Sequence, residues 1–450
     1  MHHRMDIALR RLVQDLPQHF SESAIHDNCR NHGRAWRVRL LTPFTTLHWF
    51  LLQVLHGNTP LKHVSAWSKG TFSDVAYRNA RTKLPLAVFR SVLSDVTAAL
   101  VPRTESEGLW RGHRTWLVDG SSFSMSDTEE FRNMFGQPGG QRPGCGFPVA
   151  KFVALFHAGT GLLLDLFAAP LRSHEQAIVH NLHHVLKRND VLVGDRGFCS
   201  FVHLARLAQR GVHAVFRVHQ RQIMDFTPGR PHAGPDDKKG TKGRPRSRWA
   251  RSLGPLDQVV EWSRPARRPD WMSQSDFDAL PASVLVRELR YTVGRPGFRT
   301  REATLVTTLL DAETYPLEAL AELYATRWRV EQNLRDLKIT MKMDVLKCKT
   351  TDGILKELMV YAMVDNLVRV VMGEAARRQE VAIERVSFLG ALRWLLEAGP
   401  DEELWDLSLN PERPGRDGPR TRKRRPKQFP VMKKPRSEWR KQLLEHEVVS

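Results

Sequence analysis

The chain reads as an α/β protein, a mixed sheet with flanking helices, interrupted by a β-rich insertion and bracketed by helical N-terminal and C-terminal regions. Three observations predict this. Between about Thr115 and His219, apolar runs of strand length alternate with amphipathic segments in the order β-β-β-α-β-α-β. From about Val218 to Thr300 the helical period is lost, and strand-like runs lie between Gly- and Pro-containing stretches. Before about residue 100, and again after Pro316, apolar residues recur at helical spacing.

Length and charge set the frame. A chain of 450 residues can bury a substantial core and divide into two or three domains. With 41% hydrophobic and 26% charged residues it is globular in composition. Its 69 Lys+Arg against 49 Asp+Glu give a formal charge of +20, which points to a polyanionic partner, nucleic acid ahead of an anionic membrane surface. No apolar run approaches the roughly 18 residues of a membrane span, and MHHRMDIALRRL has no signal-peptide core. Cys29, Cys145, Cys199 and Cys348 are scattered without C-x-x-C pairing, which argues against a zinc knuckle or disulfide framework and for a reducing compartment. The histidines form no zinc signature, and His183-His184 suits a helix face.

In chain order, a first amphipathic helix is expected around Ile7–Leu16, and LTPFTTLHWFLLQVLHGN gives a more buried one behind Pro43. Pro60 opens LKHVSAWSKG, and another helix covers Val75–Lys83. Lys62, Lys69, Arg78, Arg81 and Lys83 fall on polar positions, as in a small DNA-binding bundle, though many such bundles bind nothing. The character changes after Pro102. TWLVDGSSFSM reads as a strand ending at Asp119-Gly120, and KFVALFHAGTGLLLDLFAAP as two strands joined at Gly159-Thr160-Gly161. Ser173 with Gln176 suggests a capping box for EQAIVHNLHHVLK. DVLVGDRGF is a strand with Asp195 at its carboxyl end, FVHLARLAQRG a helix, and HAVFRVH a strand. Arg217–Gly254 holds ten Lys/Arg against three acids and reads as a mobile basic loop suited to phosphates. LDQVVEW, ASVLVRELRYTV and EATLVTTLL follow as strands, and Trp249, Trp262 and Trp271 suit sheet packing more than base stacking. ILKELMVYAMVDNLVRVVMGEAARR and FLGALRWLLEAG are helices, and Pro411–Lys441 is a Pro-rich basic tail.

Tyr324–Lys338 reads as one helix without Gly or Pro. At about 100° per residue, Tyr324, Arg327, Glu331 and Lys338 share an arc of roughly 60°, beside a core stripe of Leu323, Val330, Leu334 and Leu337. Alone, this is an ordinary solvated face with pairs such as Glu331–Arg327 and Glu331–Arg335. Together with Asp119 and Asp195 it supplies three hard-oxygen carboxylates, the donor type that Mg²⁺ or Mn²⁺ takes. Two such ions promote attack on a phosphodiester, and Arg, Lys and Tyr nearby can hold flanking phosphates.

The spacing Tyr324-x2-Arg327-x3-Glu331-x6-Lys338, with Asp119 in VDGSSFSMSDT and Asp195 in VGDRGF, resembles the Y-R-E-K signature group of bacterial insertion-sequence DDE transposases, family four. The resemblance runs in order from Trp116 to Lys338, including a long insertion before the glutamate. It implies an RNase H-like core and a centre in which Asp119, Asp195 and Glu331 hold Mg²⁺ or Mn²⁺, with two ions expected. It also implies DNA contacts by Tyr324, Arg327 and Lys338, joined here by Trp328, Arg335 and Arg196. The implied activity is cut-and-paste transposition by a cytoplasmic, DNA-associated homodimer that cleaves transposon ends and joins the 3′-hydroxyl to target DNA. One departure is that EATLVTTLL lacks the tryptophan that takes up a flipped base in relatives, which leaves Trp328 as a candidate and another aromatic as the alternative. A DNA-binding descendant without catalysis and an RNase H-like structure-specific nuclease stay open as alternatives. The expected division is a helical region at 1–105, core at 106–218, insertion at 219–310, closing helix at 311–350, helical region at 351–410 with a dimerisation role, and tail at 411–450.

Overall fold

The computed structural model describes residues 21–33, 36, 40–139, 142, 144–219, 221–234, 243–292, 302–398, 402–411 and 432–447. The expected Ile7–Leu16 helix, residues 235–242 of the basic loop and residues 412–431 of the tail lie outside the described residues.

Nine strands form one sheet: β1 Thr115–Ser124, β2 Val149–His157, β3 Leu163–Pro170, β4 Val191–Gly194, β5 His213–Arg217, β6 Arg248–Gly254, β7 Asp257–Ser263, β8 Ser283–Thr292 and β9 Glu302–Thr307. Their order is β3-β2-β1-β4-β5-β9-β8-β7-β6. β1, β4 and β5 run parallel, and the other neighbours are antiparallel. The order 3-2-1-4-5, with only the second strand reversed against the first, fourth and fifth of the central ladder, is the RNase H-like arrangement. The insertion continues the same sheet, since β9 pairs with β5 through Val215 and Thr307. β6 corrects the reading of Arg217–Gly254 as a loop throughout. RWARSLG is a strand on the sheet edge with Arg248 and Arg251 exposed, charges that blunt edge-to-edge association.

Among the described residues, five helices precede the sheet: α1 Glu22–Asn31, α2 Pro43–Leu55, α3 Leu61–Trp67, α4 Asp74–Lys83 and α5 Leu86–Gly108. Ser21, Thr42 and Ser73 cap the first, second and fourth by accepting a backbone N–H three residues on. α5 runs through Pro102, so the change there is one of composition and the first strand begins only at Thr115. α6 Glu129–Phe135 lies between β1 and β2. α7 Glu175–Val179 passes into a 3₁₀ turn at His180–Val185. Its cap is His174, whose side chain accepts from the Gln176 N–H, and the capping box expected at Ser173 does not form. The Ser173 N–H closes a turn onto Pro170 O, and the Gln176 side chain donates instead to Gly197 O. α8 Phe201–Gln209 and α9 Gln274–Asp278 follow, then α10 Leu317–Ala325, α11 Trp328–Arg335, α12 Thr351–Arg378, α13 Phe388–Glu397 and α14 Arg436–Glu447.

Alternation along β1 sorts the core into two layers. Trp116 and Val118 face α7, α8 and the short α9, with Ile178, Leu204 and Phe277. Leu117 and Phe123 face the other way, into a larger cluster shared with α2, α5, α11 and α12. α12 is its axis and is buried over most of its length. Asn366 on α12 clamps β3, accepting from Leu163 N at 2.7 Å and donating to Leu163 O at 2.9 Å. The N-terminal helices join the same layer. Lys62, Lys69, Arg78 and Lys83 are exposed, but Arg81 turns inward over the Phe50 ring at 3.6 Å and donates to Gln53 and Cys348. That corrects its placing on a polar face: the aromatic ring, the Gln53 oxygen and the Cys348 sulfur give the guanidinium partners that outweigh exposure. Asn58 and Glu357 are hydrogen-bonded in the same seam.

Asn366→Ala leaves a buried N–H and C=O on β3 without partners. We expect stability to fall by about 2–4 kcal/mol, read as a lower urea midpoint at unchanged slope.

Candidate active site

The parallel ladder between β1 and β4 runs from Thr115–Val191 to Val118–Gly194 and stops. The next residue on each strand is an aspartate, Asp119 and Asp195. β4 ends there, but β1 does not: antiparallel pairing with β2 carries it on to Ser124, with Asp119 opposite Ala154. Asp119 is therefore mid-strand, where a strand end was expected, because only one of its two neighbours terminates. Gly194 makes the last rung possible, since a Cβ there would stand 2.8 Å from Val118 Cγ1. The Asp195 side chain accepts from the Gly197 N–H at 2.7 Å, and that of Asp119 from the Gly120 N–H at 2.8 Å.

The segment expected as one helix, Tyr324–Lys338, is built in three pieces. α10 ends at Ala325, Thr326 and Arg327 form a tightened turn, and α11 passes into a π-helical turn at Asp336–Thr340. The cause is local. Thr326 Oγ1 donates back to Leu323 O at 2.6 Å, and the N–H groups of Arg327, Arg329 and Val330 bond three residues back instead of four. Thr326 and Arg327 keep right-handed helical backbone angles, so the shared face survives the break.

On that face, Arg327 Nη2 donates to Glu331 Oε1 at 2.8 Å, while Nη1 lies 3.7 Å from Asp119 Oδ2. One guanidinium thus joins the first aspartate to the glutamate, 5.9 Å from the Tyr324 ring centre. Lys338 Nζ donates to Ser121 Oγ at 3.0 Å. Ser121 stands two residues after Asp119 and so on the same side of β1. The position of Lys338 is fixed from behind, because Ser124 N donates to Asp344 O and Leu346 N to Ser124 O, which stitches the loop after the π turn to the end of β1. On β8, Arg287, buried with Asp257, donates to Tyr315 O at 2.6 Å and anchors the approach to α10.

Burial pushes the Asp119 carboxyl up to about 6. Asp195 and Glu175 push the same way, and the Gly120 N–H and Arg327 oppose them. Burial also raises the Tyr324 phenol to about 12, so it stays a hydrogen-bond donor at neutral pH, and lowers Lys338 from the ordinary lysine range. Trp328 is 41% exposed at the start of α11. Arg196 is exposed on the turn after Asp195. Arg335 lines a cavity of about 520 Å³ with Asp336, Asn333 and Arg369.

Hard-oxygen donors from a strand, the turn after a second strand and a helix suit a divalent cation. As they stand, no three His, Cys, Asp or Glu side chains among the described residues are gathered closely enough to hold one ion. Glu331 is drawn to Arg327. A cradle is nonetheless present. A Cβ on Gly197 would meet Asp195 Oδ1 at 3.0 Å and Glu175 Oε2 at 2.8 Å, and one on Gly120 would meet Glu175 Oε1 at 2.9 Å. Sequence reasoning missed Glu175 and Ser121. The signal for Glu175 was a glycine one or two residues after each aspartate, Gly120 and Gly197.

A carboxyl whose pKa is raised in the native state stabilises the fold below its unfolded value of about 4, and that contribution is lost as pH rises through about 6. In chelator, Asp119→Asn should therefore gain thermal midpoint relative to wild type as pH goes from 4 to 7. A constant difference across that window would contradict the burial and repulsion at Asp119.

Residues 110–367, more than half of the chain, match the family described as "Transposase DDE domain". Among relatives, InsZ of Escherichia coli (strain K12), a transposase by its name, is 29% identical over 103 residues, covering 23% of this chain and 34% of that one. Transposase InsG for insertion sequence element IS4, from the same strain, is 24% identical over 293 residues, covering 64% of this chain and 59% of that one. The chain thus spans less than two thirds of the length of either relative. A cryo-EM structure of a piggyBac transposase synaptic complex with hairpin DNA aligns with 84% of this chain and 78% of that one, at 8% identity and a TM-score of 0.39. With Asp119 and Asp195 just past the last rung of a parallel pair and Tyr324, Arg327, Glu331 and Lys338 inside the matched region, the chain belongs to the DDE transposase-domain family.

Proposed function

We propose that this chain is the transposase of an insertion sequence, which binds the element's inverted-repeat ends as a homodimer, cleaves a strand at each and joins the freed 3′-hydroxyl to target DNA. The observation that carries the reading is the convergence on Asp119: Asp195 beside it at the end of the parallel ladder, and Arg327, Glu331 and Lys338 above it on one helical face.

Asp119, Asp195 and Glu331 would hold Mg²⁺ or Mn²⁺, two ions by the family's chemistry. Such ions would supply activation of a water or 3′-hydroxyl and stabilisation of the departing oxygen. The protein's own groups do the rest. Arg327 is a planar fork that can exchange its carboxylates for phosphate oxygens, which frees Glu331 to turn toward the aspartates. Lys338 supplies a point charge over β1, and Tyr324, kept protonated by burial, donates to a phosphate oxygen. Trp328 offers a partly exposed indole to an unpaired base. The exposed Lys62, Lys69, Arg78 and Lys83, the Arg-rich β6 and Arg196 provide the sequence-independent attraction to the duplex.

With DNA carrying the element's ends, Asp119→Asn, Asp195→Asn and Glu331→Gln should each abolish Mg²⁺-dependent cleavage and strand transfer while leaving end binding within a few-fold. Normal turnover in any of the three would overturn the assignment. Lys338→Ala should weaken end binding and lower the salt slope by about 1. An unchanged slope would remove Lys338 from the phosphate contacts.

A further inference from the structure

We infer that Glu175 is a fourth carboxylate of the catalytic centre, a divalent-cation ligand that reaches Asp119 and Asp195 from the opposite face of the sheet. The inference rests on the reading of the two aspartates as metal ligands.

Three observations carry it. The first is direction. Asp119 is on the side of β1 that faces α11, with Arg327 and, two residues on, Lys338 at Ser121. Gly120 is on the other side, the one packed by Ile178 and Val179 of α7. Glu175 opens α7 and comes from that second side. Its carboxylate reaches the aspartates because position 120 carries no side chain.

The second is space. The Glu175 carboxylate fits against two glycines at once, with Oε1 2.9 Å from the Cβ position of Gly120 and Oε2 2.8 Å from that of Gly197. Asp195 Oδ1 lies 3.0 Å from the same Gly197 point. Approaches under 3 Å exclude any other residue at either position without displacing the carboxylate. Gly120 directly follows Asp119 and Gly197 stands two residues after Asp195, and at both positions the missing side chain leaves room for the Glu175 carboxylate where it stands. The arrangement is also held in place, since Gln176 Nε2 donates to Gly197 O at 3.1 Å and ties the start of α7 to the Asp195 loop.

The third is charge. Among the described residues Glu175 has no hydrogen-bond or ion-pair partner, and it adds to the repulsion on Asp119. Arg327 serves Asp119 and Glu331 on the far side of the strand and does not pair with Glu175. A half-buried carboxylate set beside two others, without a protein cation of its own, is destabilising unless a cation joins it. A divalent ion supplies that charge, and its preference for several carboxylate oxygens matches the three side chains. Glu331, tied to Arg327, is then the ligand that arrives last.

The test uses the full chain and Mn²⁺ alone, without DNA. Thermal midpoints are taken in chelator and in excess Mn²⁺, and Mn²⁺ affinity by electron paramagnetic resonance titration, for wild type, Glu175→Gln, Glu175→Asp and Asp119→Asn. Glu175→Gln should melt higher than wild type in chelator, because a repulsive charge is gone. It should also show a smaller Mn²⁺-induced rise and at least tenfold weaker Mn²⁺ binding. Glu175→Asp should retain part of the Mn²⁺-induced rise. If Glu175→Gln binds Mn²⁺ like wild type while Asp119→Asn does not, Glu175 is no ligand and the aspartate reading stands. If Asp119→Asn also binds like wild type, the reading beneath the inference fails. If Glu175→Gln melts lower in chelator with its Mn²⁺ response intact, the residue serves only the start of α7, and the inference is overturned.

Discussion

Val118 and Gly194 form the last rung between two parallel strands, and the candidate site depends on where that rung falls. Parallel pairing brings residues level along their whole shared length, so two aspartates that each follow the last pair stand side by side at the same height. A slip of one residue in this register would send Asp119 to the far side of β1 while leaving Asp195 in place. Several features hold the register. Arg114 makes paired hydrogen bonds to Asp190 just before the ladder begins, and Trp116 Nε1 donates to the same carboxylate. At the other end, Gly194 admits Val118 and Phe216 where any side chain would collide.

The rest of the fold brings a helix to this point and holds it there. α11 lies across β1, and each of its ends is tied to the sheet. Arg287 on β8 grips the chain before α10, and the loop after the π turn pairs with Ser124. The strands inserted between β5 and the helix thereby have a positioning role, because β9 pairs with β5 and β8 supplies Arg287. Behind the helix, α12 fills the larger core layer and draws the N-terminal helices into it. The N-terminal helices thus share their interior with the layer behind the site.

Much of this was legible because it rests on periodicity. The succession of strands and helices along the chain and the helix stripe of Val330, Leu334 and Leu337 follow from spacing alone. What sequence reading missed depended on neighbours distant in the chain. The strand end expected at Asp119-Gly120 ignored β2, whose pairing carries β1 five residues further. Arg81 read as a surface cation because nothing nearby in sequence announces Phe50 and Cys348 as partners. The break at Thr326 arises from one hydroxyl bonding a carbonyl three residues back, an effect that propensity scales average away.

The glycines beside the aspartates show the same limit most directly. In sequence, a glycine after a strand residue implies a turn, and Gly120 was read that way. In the fold it lies within a paired strand, where freedom of φ is irrelevant and the missing Cβ is what matters. A centre gathered from one face of a sheet would need no such gap. Gly120 and Gly197 make sense when carboxylates converge from both faces, one set on β1, β4 and α11 and another at the start of α7. The repulsion this creates is unfavourable to the isolated protein, and the same charges become favourable once a cation is bound. The site is therefore strained electrostatically rather than sterically, with Arg327 offsetting part of the charge on the α11 side alone.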